Sequence, residues 1–117
     1  MGNSGGKLTR KLISSGTDFE LNIGYYRAVA DGGMVFGSGA TGYNYKDMSL
    51  GNDVAVQAEQ CFVNIQSALK EAGSSIEDIV RVNYILSNRD DFEGCWPVTG
   101  KWLGAVRPAA PCLKPGC

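Results

Sequence analysis

The chain has 117 residues, with 11 basic and 12 acidic side chains, a net charge of -1 and no histidine. This length predicts one domain, and 44% apolar with 20% charged residues is typical of a folded globular protein. The near-zero charge disfavours nucleic-acid binding through bulk electrostatics. The lack of histidine excludes Ser-His-Asp triads, Cys-His pairs and every His-ligated metal site.

The cysteines and the first residues bear on metal binding and on the cellular compartment. Cys61, Cys95, Cys112 and Cys117 form no CxxC pair, so neither a zinc ribbon nor a thioredoxin-type motif is predicted, and we expect no metal and no cofactor. Residues 1–6 are small and polar, and we expect a flexible leader there rather than a signal sequence. No stretch approaches the ~20 apolar residues of a membrane span. A reduced, cytoplasmic setting is the prediction.

Glycines divide the first half of the chain into short segments, as strands and turns require. Segments 7–13, 25–30 and 34–38 are predicted strands. Asp31-Gly32-Gly33 separates the second from the third, which is a strong hairpin signal. The segment 42–51 is polar and aromatic without a period, and it is predicted to be a loop.

The hydrophobic period then changes to that of a helix. Apolar residues recur every three or four positions from Val54 to Ala72, including Cys61, which predicts an amphipathic helix with Cys61 as a small buried hydrophobe. Asn52 or Asp53 can cap its start, and Gly73 can take the left-handed position past its end.

Two further elements are predicted after that helix. Residues 79–86 are rich in β-branched side chains and predict a well-covered central strand. A second helix is expected from a cap in 87–90 to Gly104, and Pro97 within it predicts a kink or a late start. Too little sequence follows Pro108 for a full strand. This order predicts an α+β layer domain with two helices on one face of a mixed sheet.

The glycine-rich segment 37–42 is the first candidate for chemistry. It lacks the Lys-Ser/Thr of a P-loop. Another use is a strand end whose bare backbone N–H groups near Gly39 could receive a carboxylate or an oxyanion. A tight turn or a bulge that needs positive φ is the commoner reason for such glycines. Tyr43 and Tyr45, which follow, favour an interface or a pocket rim over a core.

Tyrosine and arginine residues supply the other candidates. In a strand, Tyr25 and Arg27 would face one side and Tyr26 the other, where it could meet a partner or ligand, or simply pack on the sheet. Arg107 precedes Pro108, so we expect extended backbone there. Its guanidinium could clamp a carboxylate or form a surface ion pair.

Spaced sequence blocks, taken together, resemble the YjgF/Rid family of imine/enamine deaminases, which is also described as endoribonuclease L-PSP-like. The blocks cover residues 14–16, 24–42, 52–73, 75–93 and 106–110. Each is weak alone, whereas their order and spacing are specific. The resemblance implies a chorismate-mutase-like fold, a mixed sheet with two helices on one face, and a homotrimer with ligand clefts between subunits.

The resemblance also implies a substrate-binding set. Tyr26 matches the pocket tyrosine and Gly39 the glycine whose backbone lines the cleft, while Trp96 stands where deaminases tend to have a polar residue. Arg107 is shared with branches of mostly unsettled activity. The arginine that holds the substrate carboxylate in the deaminating branch corresponds to Ala110. This departure argues against efficient deamination of small 2-imino acids, and no catalytic residue is assigned.

Three functions follow as expectations. The first is binding of small carboxylate or imine metabolites in clefts between subunits, with hydrolysis of enamines or imines to keto acids and ammonia. The second is a non-catalytic metabolite-binding or regulatory trimer. The third, an endoribonuclease, ranks last because the chain has little charge and no histidine. Residues 7–117 are expected to form one domain, with the final strand shortened by truncation or a frameshift within 111–117.

Overall fold

The computed structural model describes residues 10–113. The predicted leader and the first part of the first predicted strand lie outside these residues. The elements, in chain order, are β1 (Lys11–Ile13), α1 (Asp18–Ile23), β2 (Ala28–Asp31), β3 (Met34–Gly37), β4 (Tyr43–Asn44), β5 (Ser49–Leu50), α2 (Val54–Glu71), a 3₁₀ turn (Ile76–Asp78), β6 (Tyr84–Ile85), a second 3₁₀ turn (Arg89–Asp91), α3 (Phe92–Leu103) and β7 (Cys112–Leu113). The predicted α+β class is confirmed.

Strands β1, β2 and β3 form an antiparallel sheet in that order. Asp31 pairs with Met34, so Gly32 and Gly33 alone connect β2 to β3. Both glycines have positive φ, 61° and 79°, which is the backbone that a two-residue hairpin turn demands and that side chains resist. The predicted hairpin is confirmed.

Two short ladders complete the strand pairing among the described residues. Strands β4 and β5 pair antiparallel inside the segment that was predicted to be a loop, so that prediction is wrong for these residues. Strand β6 pairs in parallel with β7, and Arg81 makes an isolated bridge to Ala109.

The predicted central strand at 79–86 is shorter and more open than expected. Only Tyr84–Ile85 forms a strand, and 69% of Val80 and 76% of Ile85 are exposed. Among the described residues this strand pairs on one edge only, with β7, and no described element packs over the Val80 and Ile85 side chains. The prediction of a well-covered strand is therefore wrong for the single chain.

Helix α2 confirms the helical pattern. Asp53 caps it, since its carboxylate accepts a hydrogen bond of 2.8 Å from the Val56 amide. Gly73 follows the helix with a φ of 83°, in the predicted left-handed position. No helix among residues 10–113 is long and apolar enough to cross a lipid bilayer.

Helix α3 begins at Phe92, before Pro97, so the expected late start is wrong. Pro97 leaves the Glu93 carbonyl without its usual helical donor. Packing against α2 offsets that loss: Phe62 stacks on Trp102 with ring centroids 5.5 Å apart. Phe62 also joins Ile76 and Leu103 in the buried core between the helices.

Candidate functional site

A buried ion pair lies between α1 and the residues that lead into β2. Glu20 is 2% exposed and Arg27 is 6% exposed. The Arg27 Nη2 atom lies 3.5 Å from Glu20 Oε2 and donates a 3.1 Å hydrogen bond to the Tyr25 hydroxyl. Tyr25 and Arg27 therefore share one side of the chain, although the strand predicted at 25–30 begins only at Ala28. Burying both charges is tolerated because they compensate each other.

The Glu20 carboxylate is held by the turn that precedes it. It accepts hydrogen bonds from the Ser14 hydroxyl at 3.1 Å, the Ser15 amide at 3.2 Å, the Thr17 hydroxyl at 3.0 Å and the Ser15 hydroxyl. Burial opposes ionisation of this carboxyl, but the hydrogen bonds from Ser15, Thr17 and Ser14 outweigh it and lower its pKa below the ordinary value of 4.5. Glu20 is therefore ionised at neutral pH.

Sequence reasoning missed both α1 and this ion pair. The signal was available, because Thr17-Asp18-Phe19-Glu20 fits the Ser/Thr-x-x-Glu pattern of a helix start. The Thr17 hydroxyl does cap the helix by accepting a 3.4 Å hydrogen bond from the Glu20 amide. The Glu20 side chain, however, turns toward the serines and Arg27 instead of staying at the surface.

The other terminal nitrogen of Arg27, Nη1, reaches the glycine-rich segment. Residues 38–42 of this segment are called the 38–42 loop below. Nη1 donates a 2.7 Å hydrogen bond to the Gly39 carbonyl. The guanidinium carbon lies 4.8 Å from the centre of the Tyr45 ring and 5.4 Å from that of Tyr25. Tyr45 thus covers the arginine more than it rims a pocket.

Two side chains of α2 hold the next carbonyls of the 38–42 loop. Cys61 Sγ lies 3.6 Å from the Ala40 oxygen, a weak hydrogen bond. The buried Asn64 amide donates to the Thr41 carbonyl at 3.1 Å and to the Tyr43 carbonyl at 2.8 Å. Successive carbonyls of the loop are therefore bound to donors in the protein interior.

The amides of the same loop are left without acceptors. In a trans peptide the N–H points opposite to the C=O, and none of the described peptide bonds is cis. The Ala40 and Thr41 N–H groups therefore point away from Arg27 and Cys61. Within residues 10–113, the Gly39, Ala40 and Thr41 amides donate no hydrogen bond.

Of the two glycines inside the 38–42 loop, Gly42 has a spatial rather than a conformational reason, and Gly39 lies beside open space. Neither has positive φ, so the alternative of a turn that needs left-handed backbone does not apply to them. A Cβ at Gly42 would lie 2.7 Å from the Gln57 Cβ, because the loop rests directly on α2. A Cβ at Gly39 would meet nothing within 4 Å, so the space beside this residue is open.

The cysteines near the loop are poor nucleophiles. Burial raises the pKa of the Cys61 and Cys95 thiols, with smaller contributions from neighbouring acidic groups. Both are therefore neutral thiols at physiological pH. In the part of the chain that the structure describes, no group of three cysteine, aspartate or glutamate side chains could hold a metal ion.

Two of the four predicted substrate-binding residues lie together. The Tyr26 carbonyl accepts a 2.5 Å hydrogen bond from the Ser38 hydroxyl, which places Tyr26 beside the residue that precedes Gly39. The Tyr26 side chain is 45% exposed. A tyrosine face and a set of free amides are therefore available next to each other.

The other two predicted residues lie elsewhere. Trp96 on α3 is half exposed and packs edge-on against Phe92 at 5.7 Å. Arg107 follows α3, and its Nε donates a 3.2 Å hydrogen bond to the Gly104 carbonyl. No hydrogen bond, ion pair or ring contact among the described residues joins either of them to Tyr26 or Gly39.

The expectation of extended backbone at Arg107 is wrong. Its φ is 51°, in the left-handed region. The Arg107 amide still bonds the Leu103 carbonyl at 2.8 Å, so the chain must reverse at this residue to leave the helix. Pro108 disfavours the right-handed helical region for the residue before it, and Arg107 adopts the left-handed region in place of the extended one.

Comparisons with known proteins agree with this fold. A sequence model of the Endoribonuclease L-PSP family matches residues 17–114. Mitochondrial protein mmf1 of Schizosaccharomyces pombe is 35% identical over 89 residues, 76% of this chain and 54% of that protein, so the chain spans just over half of that relative's length. A 2-iminobutanoate/2-iminopropanoate deaminase of Dermatophagoides farinae is 30% identical over 87 residues, 73% of this chain and 67% of that protein.

A solved structure gives the same result in three dimensions. A Mycobacterium tuberculosis member of the YjgF/YER057c/UK114 family superposes with a TM-score of 0.82 at 28% identity, over 93% of this chain and 86% of the other. The expected YjgF-type architecture is therefore confirmed. With the family model covering most of its length, the chain belongs to the Endoribonuclease L-PSP family, which is the YjgF/Rid family.

Proposed function

We propose that this chain binds a small carboxylate- or carbonyl-bearing metabolite at the 38–42 loop. One observation carries the proposal: three consecutive amides, Gly39 to Thr41, lack acceptors among the described residues, while the Gly39, Ala40 and Thr41 carbonyls are bound from inside. The bound Gly39 and Ala40 carbonyls fix the Ala40 and Thr41 N–H groups, and backbone N–H groups held in this way favour a carboxylate or an oxyanion. The open space beside Gly39 gives such an anion room.

The reaction that fits this site is hydrolysis of a C=N bond. An enamine such as 2-aminoacrylate first takes a proton at its terminal carbon and becomes 2-iminopropanoate. Water then adds to the imine carbon, the C–N bond breaks, and pyruvate and ammonia leave. The Dermatophagoides relative, whose name gives this activity, supports the assignment. The loop amides would hold the substrate carboxylate, so neither a covalent nucleophile nor a metal is required.

We propose that three copies complete the site. Large apolar side chains are exposed on β3, on β6 and in the segment before β6: Phe36 at 60%, Ile85 at 76% and Val80 at 69%. Exposed apolar area of this kind marks an interface. In a trimer, Tyr26 and Gly39 of one copy could meet Trp96 and Arg107 of another, which no single chain brings together.

A non-catalytic metabolite-binding protein is the second candidate, and one observation favours it. Ala110 stands where the resemblance implies the carboxylate-binding arginine, and Arg107 is engaged with the end of α3. Losing a bidentate clamp weakens the hold on the substrate in the transition state. An endoribonuclease remains the third candidate. A cytoplasmic location stays a prediction, and one relative is named as mitochondrial.

Substituting Gly39→Ala tests the binding site directly. The added methyl meets no atom within 4 Å, so the fold should tolerate it, but it occupies the space in front of the amides. Isothermal titration with pyruvate should show about a tenfold or greater loss of affinity, as expected from losing one or two charge-assisted hydrogen bonds. Gly100→Ala, where the added methyl also meets no atom within 4 Å but lies on α3 and not in the loop, is the control and should bind as the unmodified chain does.

Ammonia release from freshly generated 2-aminoacrylate separates the first two candidates. A rate above background that Gly39→Ala lowers supports the deaminase. Binding of pyruvate without ammonia release supports the non-catalytic module. If the unmodified chain binds neither pyruvate nor 2-oxobutanoate, the proposed site is wrong.

A further inference from the structure

We infer that Arg27 is a positioning residue, which fixes the Gly39–Ala40 peptide so that its N–H faces the ligand. The inference rests on the proposed function of the 38–42 loop. Arg27 is buried, and it touches the loop through the Gly39 carbonyl at 2.7 Å. The carbonyl oxygen and the Ala40 N–H belong to one planar trans unit, so holding the first orients the second.

The arginine can do this because its own guanidinium is fixed at other points. Nη2 donates a 3.1 Å hydrogen bond to the Tyr25 hydroxyl and lies 3.5 Å from the Glu20 carboxylate. Nη1 donates to the Gly39 carbonyl of the loop. A guanidinium is a rigid planar fork, so fixing one nitrogen sets the direction of the other. Lysine has a single nitrogen and could not hold all three partners in this geometry.

The charge of Glu20 determines whether Arg27 can attract an anion directly. Because the carboxylate neutralises the guanidinium within the buried site, Arg27 offers no net charge to an incoming anion. Its influence passes through the peptide: a charged donor on the carbonyl polarises the unit and strengthens the N–H on the other side as a donor. Arg27 thus acts on the ligand through the Ala40 amide and not by contact.

Glu20 is in turn anchored to α1 and its preceding turn. Its carboxylate is bound by Ser14, Ser15 and Thr17, and Thr17 also caps the helix. The chain of contacts therefore runs from α1 through Glu20 and Arg27 to Gly39. Two buried side-chain atoms within residues 10–113 lack a partner, Arg27 Nε and Tyr45 Oη, and both lie in this cluster.

The test is Arg27→Lys in the full chain, which keeps the charge opposite Glu20 and removes the fork. Ile76→Val, a change in the core cluster that Ile76 forms with Phe62 and Leu103, controls for a general loss of stability. Amide NMR of the free protein should give order parameters near the rigid value of about 0.85 for Gly39 to Thr41 in the unmodified chain and in Ile76→Val. In Arg27→Lys these should fall toward about 0.6, with a shift of the Ala40 resonance.

Titration of the same samples with pyruvate completes the test. Arg27→Lys should weaken pyruvate binding about tenfold, and Ile76→Val should not. An ordered loop in Arg27→Lys overturns the inference, as does a disordered loop that binds pyruvate with unchanged affinity. If the unmodified chain does not bind pyruvate, the proposed function fails, and the loop order in Arg27→Lys alone decides whether Arg27 positions the peptide.

Discussion

Two regions of this protein invert the usual distribution of side chains. Around α1 and the 38–42 loop, the charged residues Glu20 and Arg27 are 2% and 6% exposed. Around β6, the apolar residues Val80 and Ile85 are 69% and 76% exposed. In the first region charged side chains are buried, and in the second apolar side chains are exposed to water. Both arrangements cost stability in an isolated chain.

The two regions differ in what offsets their cost in stability. Glu20 and Arg27 bind each other and neighbouring residues of the described chain, so these contacts offset the free-energy cost of burying the two charges. The pair orients the backbone of the 38–42 loop. The exposed apolar face has no such partners, so its cost is offset only if another molecule covers it. The buried pair is compensated within the described residues, whereas the apolar face would be covered only in the proposed trimer, and each region therefore gives its own predictions.

The largest effect is expected from breaking the buried pair on one side. Arg27→Met leaves the Glu20 carboxylate buried without its cation, and removing one partner of a buried pair costs about 3–5 kcal/mol. For a domain with about 5–15 kcal/mol of total stability this is severe. Urea denaturation monitored by circular dichroism should show a large fall in the midpoint.

The double variant Arg27→Met with Glu20→Gln tests whether the uncompensated carboxylate causes the loss of stability. It removes both charges together, so it should recover a substantial part of the lost free energy of unfolding. Equal stability of the single and double variants would show that the loss comes from packing of the arginine stem and not from the uncompensated carboxylate.

A similarly clear effect is expected at the exposed face. Ile85→Asp places a charge on the most exposed side chain of β6 and should convert the proposed trimer to a folded monomer, because a buried unpaired carboxylate at an interface is costly. Light scattering coupled to size exclusion gives the mass, and circular dichroism should show unchanged helix content.

Gln66→Glu is the matched control, since it adds one negative charge to an exposed polar position on α2. It should leave the mass unchanged. A monomeric unmodified chain, or a trimer that survives Ile85→Asp, would contradict the idea that this face is covered by a second copy.

Acid should weaken the buried pair specifically. The folded-state pKa of Glu20 lies below its ordinary value of 4.5, so the stability it contributes is present above that value and is lost as the pH falls through the folded pKa. The difference in unfolding free energy between the unmodified chain and Glu20→Gln should therefore shrink from about pH 6 to about pH 3. A constant difference over that range would mean that the carboxylate charge does not matter.

The sequence predicted the regular elements where a period or a turn was strong. Helix α2, its Asp53 cap and the Gly32-Gly33 hairpin followed from spacing and turn chemistry alone. The open amides near Gly39 were also anticipated, as one of two alternatives. These features are local, since each depends on residues within one turn or one hairpin.

The remaining features depend on long-range placement. A pattern of charges cannot show that Glu20 is buried, since carboxylates are usually exposed and burial here depends on Arg27 seven residues later and on the loop beyond it. The reversal at Arg107 depends on where α3 must end relative to β7. The exposure of Val80 and Ile85 depends on which elements pack over their side chains, and β-branched composition is the same for covered and uncovered strands.

The smallest effect, and a sharp one, concerns Tyr45. Its ring lies 4.8 Å from the Arg27 guanidinium carbon, while its hydroxyl is buried without a partner among the described residues. Tyr45→Phe keeps the ring over the cation and removes the unsatisfied hydroxyl, so the free energy of unfolding should stay the same or rise by up to about 1 kcal/mol. Tyr45→Leu, which removes the ring, should lower stability, because it loses the cation–π contact. If Tyr45→Phe instead destabilises the protein by more than about 1 kcal/mol, the hydroxyl has a partner, such as a bound water, and the cluster around Arg27 includes it.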